Sequence, residues 1–209
     1  MEIYLNQEKV GYTLEGEKNL GEILSQMDKW VRDQGELITS VNLDGKTLTI
    51  EESDALAGRA LEEITSLDLN SQDRYLLAAD GMGLLKSYLP RFASGSEEIA
   101  DYLQKGEDLK AYELFEEFVS GLEWIVDMLS NVARVVELDY RVINYSGRSI
   151  EERLSDFLGL MKEIEKTFEN RDMVMLSDLL QYEVTPMSNE WLEMADEIIK
   201  EIEKAAKDR

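Results

Sequence analysis

The sequence predicts an α+β protein, with a strand-rich module over residues 1–70 followed by a mostly helical body over residues 71–209. Three observations predict it. Apolar residues alternate with period two near the start, as in Ile3, Leu5, Val10, Tyr12 and Leu14. Asp44-Gly45, the strongest two-residue hairpin signal in the chain, separates two β-rich runs. From Ser71 onward the spacing changes to three and four, and apolar stripes run for many turns.

In the module, Glu2–Asn6 and Lys9–Leu14 read as strands joined by a turn at Asn6-Gln7-Glu8. Asn19 caps a helix over Leu20–Gln34 whose apolar face carries Leu20, Ile23, Leu24, Met27, Trp30 and Val31, and Gly35 ends it. Leu37–Leu43 and Lys46–Ile50 form the hairpin around Asp44-Gly45, and a connection over Glu51–Gly58 leads to a last strand at Ile64–Leu69.

The first helix of the body carries Leu77, Leu84, Tyr88, Phe92, Ile99 and Leu103 past Pro90, with Ala93–Ser96 as a competing loop. The second carries a heptad pattern, Tyr112, Phe115, Val119, Leu122, Val126, Leu129, Ala133, Val136, Tyr140 and Ile143. At about 1.5 Å per residue it would span on the order of 50 Å. Its neighbouring columns, Phe118/Ile125/Val132 and Leu114/Met128/Val135/Val142, are apolar too, so cover is expected on several sides. Ser146-Gly147-Arg148 reads as a loop, and the capping box Ser149-Ile150-Glu151-Glu152 opens a third helix with the stripe Ile150, Leu154, Phe157, Met161, Ile164 and Phe168. A fourth carries Met173, Leu176, Leu180, Val184, Met187, Trp191, Met194, Ile198 and Ile202 past Pro186, the alternative being a break at Thr185–Ser188 with a restart capped by Ser188. Tight turns at Lys105–Asp108 and Glu169–Asp172 then predict a mostly antiparallel four-helix bundle with Pro-kinked helices.

The order of two strands, a helix, two strands, a crossover and a final strand resembles the β-grasp (ubiquitin-like) arrangement. That resemblance implies a recognition module or a structural appendage. Carrier proteins of the fold need a free Gly-Gly terminus, whereas this module runs on into Asn70-Ser71, which excludes carrier chemistry. The stretch Asp172-Met-Val-Met-Leu-Ser-Asp-Leu-Leu-Gln-Tyr-Glu-Val-Thr-Pro186 with Trp191, together with Ser40-Val-Asn-Leu-Asp-Gly45, is similar to segments of an uncharacterised bacterial family. This second resemblance implies a bacterial, cytoplasmic protein and assigns it no function.

The formal net charge is −23. Residues 1–70 hold 15 acidic and 6 basic groups, net −9, which leaves 30 and 16, net −14, for residues 71–209. Charge so distributed belongs to solvated faces and keeps a chain soluble. It repels phosphate backbones and anionic membranes and suits a basic or aggregation-prone protein partner. The chain contains neither Cys nor His, which removes thiol chemistry, the commonest general base and the commonest transition-metal ligand. No cofactor, metal ligand or catalytic residue is expected. Asp80-Gly81-Met82-Gly83 lacks the strand or Lys of a phosphate loop and reads as a close helix approach or a local distortion. Met1–Val10 starts as a strand with no basic or apolar leader, so no signal peptide is expected, and no apolar run reaches the roughly 18–20 residues that span a bilayer.

The functional expectation is therefore a non-enzymatic, acidic, cytoplasmic interaction protein, adaptor or chaperone-like. The alternatives are a carboxylate-based, divalent-metal-dependent enzyme or binding protein, and a structural homodimer. Trp124, beside Leu138, is expected either to pack beneath the N-terminal module, the favoured reading, or to anchor a partner. Leu114, Met128 and Val135 complete that candidate contact surface. Tyr182 and Trp191 are expected in the core.

Overall fold

The computed structural model describes residues 1–13 and 16–208, so Leu14 of the expected second strand lies outside the described residues. The chain divides into two compact units, Met1–Leu77 and Ala78–Arg209. It is α+β, with a mixed sheet in the first unit and long helices in the second.

In the first unit β1 (Glu2–Leu5) turns back through Asn6 and Gln7, both left-handed at φ 50° and 70°, into β2 (Glu8–Lys9). The second strand is this short because a tight turn, Tyr12 N–H to Val10 O at 2.9 Å, takes the chain off the sheet edge. Asn19 accepts the Glu22 N–H at 3.0 Å and opens α1 (Leu20–Asp33), which buries Leu20, Ile23, Met27 and Val31. Trp30 is exposed, not on that buried face. Gly35, at φ 79°, makes the left-handed exit that a side chain would resist. β3 (Glu36–Leu43) and β4 (Lys46–Leu48) follow, joined through Asp44 and Gly45 at φ 52° and 87°.

The return strand stops at Leu48 because a second capping box begins there. Thr49 Oγ1 accepts from Glu52 N at 3.2 Å and Glu52 Oε2 from Thr49 N at 3.0 Å, opening α2 (Ile50–Leu56) where a plain connection was expected. After a 3₁₀ turn at Leu61–Glu63, β5 (Ser66–Asp73) starts later than Ile64 and runs on past Leu69. The strand order is β2-β1-β5-β3-β4, with β1 and β5 parallel, Ile3 opposite Leu67 and Leu5 opposite Leu69. Leu20, Ile23 and Met27 of α1 close over Ile3, Leu43, Leu67 and Leu69 of the sheet, the apolar burial that holds this unit together. Asp44 ties the hairpin tip to the start of β5. Its Oδ1 accepts the Ser66 and Thr65 amides at 3.0 and 2.8 Å, and these bonds hold its carboxyl below the usual carboxylate range, with Arg59 nearby adding to the effect.

α3 (Arg74–Gln104) follows β5 directly and continues into the second unit. It runs unbroken through Pro90, so Ala93–Ser96 is helix and not loop, with Ser94 Oγ donating to the Pro90 carbonyl at 3.1 Å. Its buried face is Ala78, Met82, Leu85, Leu89, Phe92, Ser96, Ile99, Ala100 and Leu103, while Leu84 is exposed. Phe92, Ile99 and Leu103 of the expected stripe lie on this face, whereas nearer its start Met82, Leu85 and Leu89 carry it in place of Leu84.

α4 (Asp108–Val135) is shorter than the expected run to Ile143, about 42 Å at about 1.5 Å per residue. Glu137 turns left-handed at φ 56°, and Leu138 N–H reaches back to Ala133 O at 2.9 Å. Val136, Tyr140 and Ile143 are buried all the same, but by chain that has left the helix. Tyr140 Oη donates to the Leu129 carbonyl at 2.8 Å, and burial pushes its phenol well above the ordinary value. A small hairpin, β6 (Asn144–Tyr145) and β7 (Arg148–Ser149), occupies the expected loop. The predicted capping box then forms, Ser149 Oγ accepting from Glu152 N at 3.2 Å, and opens α5 (Ile150–Glu169).

The last rod comprises α6 (Met173–Leu179), a π-helical turn over Leu180–Val184 and α7 (Thr185–Lys207). Pro186 sits in the first turn of α7, so the carbonyl its ring would crowd, that of Tyr182, lies within the widened turn. There is no break at Thr185–Ser188. Ser188 is buried and donates to the Val184 carbonyl at 2.8 Å instead of capping a restart.

Side-chain contacts order the four rods. Gly81 meets Met128, while Tyr88 and Phe92 meet Trp124 and Phe118, so α3 and α4 run in opposite senses. The same reversal relates α3 to the last rod, through Lys86–Asp196, Ser96–Thr185 and Gln104–Ser177. Phe115 of α4 stacks on Phe168 of α5, and Phe157 of α5 meets Trp191 of α7.

Candidate functional site

An apolar groove of about 780 Å³ opens on the helical unit between α4 and α5. The two rods meet beside it through one aromatic platform. Phe115 and Phe168 stack with centroids 4.3 Å apart and planes 9° apart, and Tyr112 meets Phe168 edge-on at 5.5 Å. Beyond that platform, Val119 and Leu122 face Leu158, Met161 and Ile164 without closing the gap. Tyr112 and Leu158 remain 37% and 38% exposed, although both are large apolar side chains. Carboxylates of Glu116, Glu123, Glu165 and Glu169 edge the opening, with Lys162 the single cation among the lining residues.

Three of the five contact residues expected from sequence lie against α3. Leu114 lines a small hollow with Tyr88, Phe92 and Ile99 of α3. Trp124, 36% exposed, lies edge-on against Tyr88 at 4.9 Å. Met128 lies against Gly81, the close helix approach that the glycine-dense stretch of α3 predicted. These three therefore share the seam between α3 and α4. Val135 is half-buried at the last residue of α4, and Leu138 is half-buried beyond the helix.

The groove itself was missed. Tyr112 and Val119 were assigned to the core because they fit the heptad. The available signal was Leu158, an apolar residue outside the stripe of α5.

A second hollow, of about 730 Å³, lies between α5 and the π turn of the last rod. Its wall carries an Arg153–Glu190 ion pair at 3.0 Å and its floor the buried Trp191. Tyr182, expected in the core, stands at its edge 63% exposed, because the widened turn presents it outward while Trp191 packs on Phe157. Inside the unit, the Ser96 and Thr185 hydroxyls share a hydrogen bond of 2.9 Å beside the Leu180 carbonyl, which also receives the Thr185 N–H. This satisfies the polar groups that the π turn would otherwise leave buried and unpaired.

Among the described residues, no group of three or more Asp or Glu side chains is placed to hold a metal ion. The carboxylates with displaced titration are exposed and owe it to local partners. Arg141, by its guanidinium and its amide, holds Asp139 down to about 2, and the Ser149 amide and hydroxyl hold Glu152 below the usual range. Also among the described residues, no helix is long and apolar enough to cross a membrane.

Comparison with known proteins agrees with a family of uncharacterised proteins. Residues 1–72 match the family described as TP0873 N-terminal domain. An uncharacterized protein of Treponema pallidum (strain Nichols) is 24% identical over 191 residues, which cover 90% of this chain and 92% of that relative. No solved structure matches. Residues 82–194, more than half of the chain, match a second family, so the chain belongs to the family described as a domain of unknown function (DUF8042).

Proposed function

We propose that this chain is a non-enzymatic interaction protein, an adaptor or chaperone-like factor whose helical unit holds a protein partner. The observation that carries this reading is the α4/α5 groove, where large apolar side chains stand open to solvent inside an acidic rim. Open apolar surface of that kind costs solubility unless it serves contact. The absence of His and Cys agrees with a binding role, and the absence of Cys with a reducing, cytoplasmic setting.

The order β2-β1-β5-β3-β4 with β1 parallel to β5 supports reading the first unit as a β-grasp-like recognition module. The reversed helix pairings support an antiparallel four-helix bundle as the frame of the groove. Trp124, with part of its ring in solvent, is proposed as a secondary partner contact; Leu114 and Met128 hold the seam beneath it.

The test is gentle purification of the tagged full chain from its native cells, with mass determined by light scattering. A complex of fixed stoichiometry is expected, and loss of the partner in Tyr112→Ser/Leu158→Ser. A monomer that carries no partner at any salt concentration refutes the reading.

A further inference from the structure

We propose that the α4/α5 groove seats a basic amphipathic helix of the partner protein, an inference that rests on the interaction reading above. Its dimensions fit that occupant. The α4 wall from Tyr112 to Glu123 is three turns long, about 18 Å at about 1.5 Å per residue, which accommodates apolar anchors at i, i+3, i+4 and i+7 with about one further turn of helix. Phe115, Leu122 and Ile164 form a buried floor, and Tyr112, Leu158 and Met161 form the partly open walls. The Met161 thioether adapts to differing side chains at little cost. An extended strand would need a row of unpaired backbone amides and carbonyls, and the groove walls are the sides of helices whose backbone groups are already bonded.

Charge selects among helices. Four carboxylates against the lone Lys162 give the rim a net −3, on a chain of net −23. A second copy of this chain would bring like charge to that rim, and so would an acidic helix or a nucleic acid. Lys and Arg flanking an apolar stripe would meet the rim while the stripe meets the floor.

The experiment measures fluorescence anisotropy of three labelled synthetic peptides titrated with the full chain. The first is an 18-residue helix with Leu at the anchor positions and Lys elsewhere. The second keeps its composition and charge but scrambles the period, and the third replaces Lys by Glu. The first should bind, at least about tenfold more tightly than either of the others. Tyr112→Ser/Leu158→Ser, which changes side chains that are already partly open, should weaken it about tenfold or more, each lost apolar contact contributing part of that factor. Glu116→Gln/Glu123→Gln should weaken it several-fold and flatten its salt dependence.

Equal binding of the scrambled peptide would reduce the effect to general acidity and overturn the proposal, as would tight binding of the Glu peptide. Displacement of an apolar dye from the groove by none of the peptides would make it a small-molecule site and overturn it as well. The two readings fail differently. A partner that co-purifies undiminished with Tyr112→Ser/Leu158→Ser removes this groove from the interaction but leaves an interaction protein. A chain without any partner removes both.

Discussion

Gly121→Ala tests how closely α3 and α4 are packed. A Cβ at Gly121 would lie 3.1 and 3.2 Å from two ring carbons of Phe92 and nearer still to Tyr88 Oη, inside any real Cβ contact. Neither ring moves freely. Phe92 stacks on Phe118 at 4.9 Å and Tyr88 is held by Trp124 at the same distance. Two effects oppose one another. Replacing a mid-helix glycine by alanine favours the helix by about 1 kcal/mol, whereas overpacking a close-packed seam costs about 1–3 kcal/mol. One overlap with the Tyr88 hydroxyl and two tight contacts with the stacked Phe92 ring place the cost near the top of that range, for a net destabilisation of about 1–2 kcal/mol. In a chain of this size each 1 kcal/mol lowers the midpoint by about 2–4 °C. Thermal and urea unfolding followed by far-ultraviolet circular dichroism reads the shift. The decisive arm is Tyr88→Phe. Every Tyr88 ring carbon lies beyond 3.2 Å from the added Cβ, so removing the hydroxyl removes the worst clash. Tyr88→Phe/Gly121→Ala should recover most of the loss relative to Tyr88→Phe alone. A stabilised Gly121→Ala, or a double variant as unstable as the single one, would refute the packing argument.

Three further outcomes follow from the same structure. Trp191→Ala should cost about 3–5 kcal/mol by leaving a cavity against Phe157, whereas Tyr182→Ala should stay within about 0.5 kcal/mol, both read by urea unfolding. Ser149→Ala should cost about 1 kcal/mol by uncapping α5, and Ser149→Thr should keep most of that stability. Carbon-13 titration of the Asp139 carboxyl should find it near 2, and Arg141→Ala should return it toward 3.8. Because this pKa is lowered on folding, its stabilising effect is present above 3.8 and is lost as pH falls from 3.8 through about 2.

Local signals in the sequence translated well where a single residue type meets a single backbone need. Asn19, Gly35, Asp44-Gly45 and the Ser149–Glu152 box all stand at the ends they mark. The stripe of the last rod, from Leu176 to Ile202, was legible for a related reason, since Leu180, Val184, Trp191, Met194 and Ile198 are all buried. The end of α4 was not, because apolar periodicity reports burial and not conformation. Val136, Tyr140 and Ile143 kept the period while a left-handed Glu137 had already ended the helix. Thr49-Ile50-Glu51-Glu52 had the full capping signature and was passed over for a strand ending. The groove was hidden for another reason. Whether Tyr112 and Leu158 are covered depends on how two rods pack against each other, which no pattern within either rod encodes.

The π turn at Leu180–Val184 has a consequence for how this protein tolerates changes of length. Such a turn holds about one residue more than the α-helix around it, and each residue rotates an α-helix by about 100°. The rod is thus written in two frames, with Leu176 and Leu179 set in one and Trp191, Met194 and Ile198 in the other. Removing a single residue from Leu180–Val184 would restore a uniform helix and leave Trp191 on Phe157, whereas removing one between Thr185 and Glu190 would swing Trp191 away by that angle. The same deletion in the turn Glu169–Asp172 would leave both frames intact and alter only where the rod begins. Length variation among relatives should therefore gather at the turns between rods and at the five positions Leu180–Val184, and spare the helix between Thr185 and Trp191.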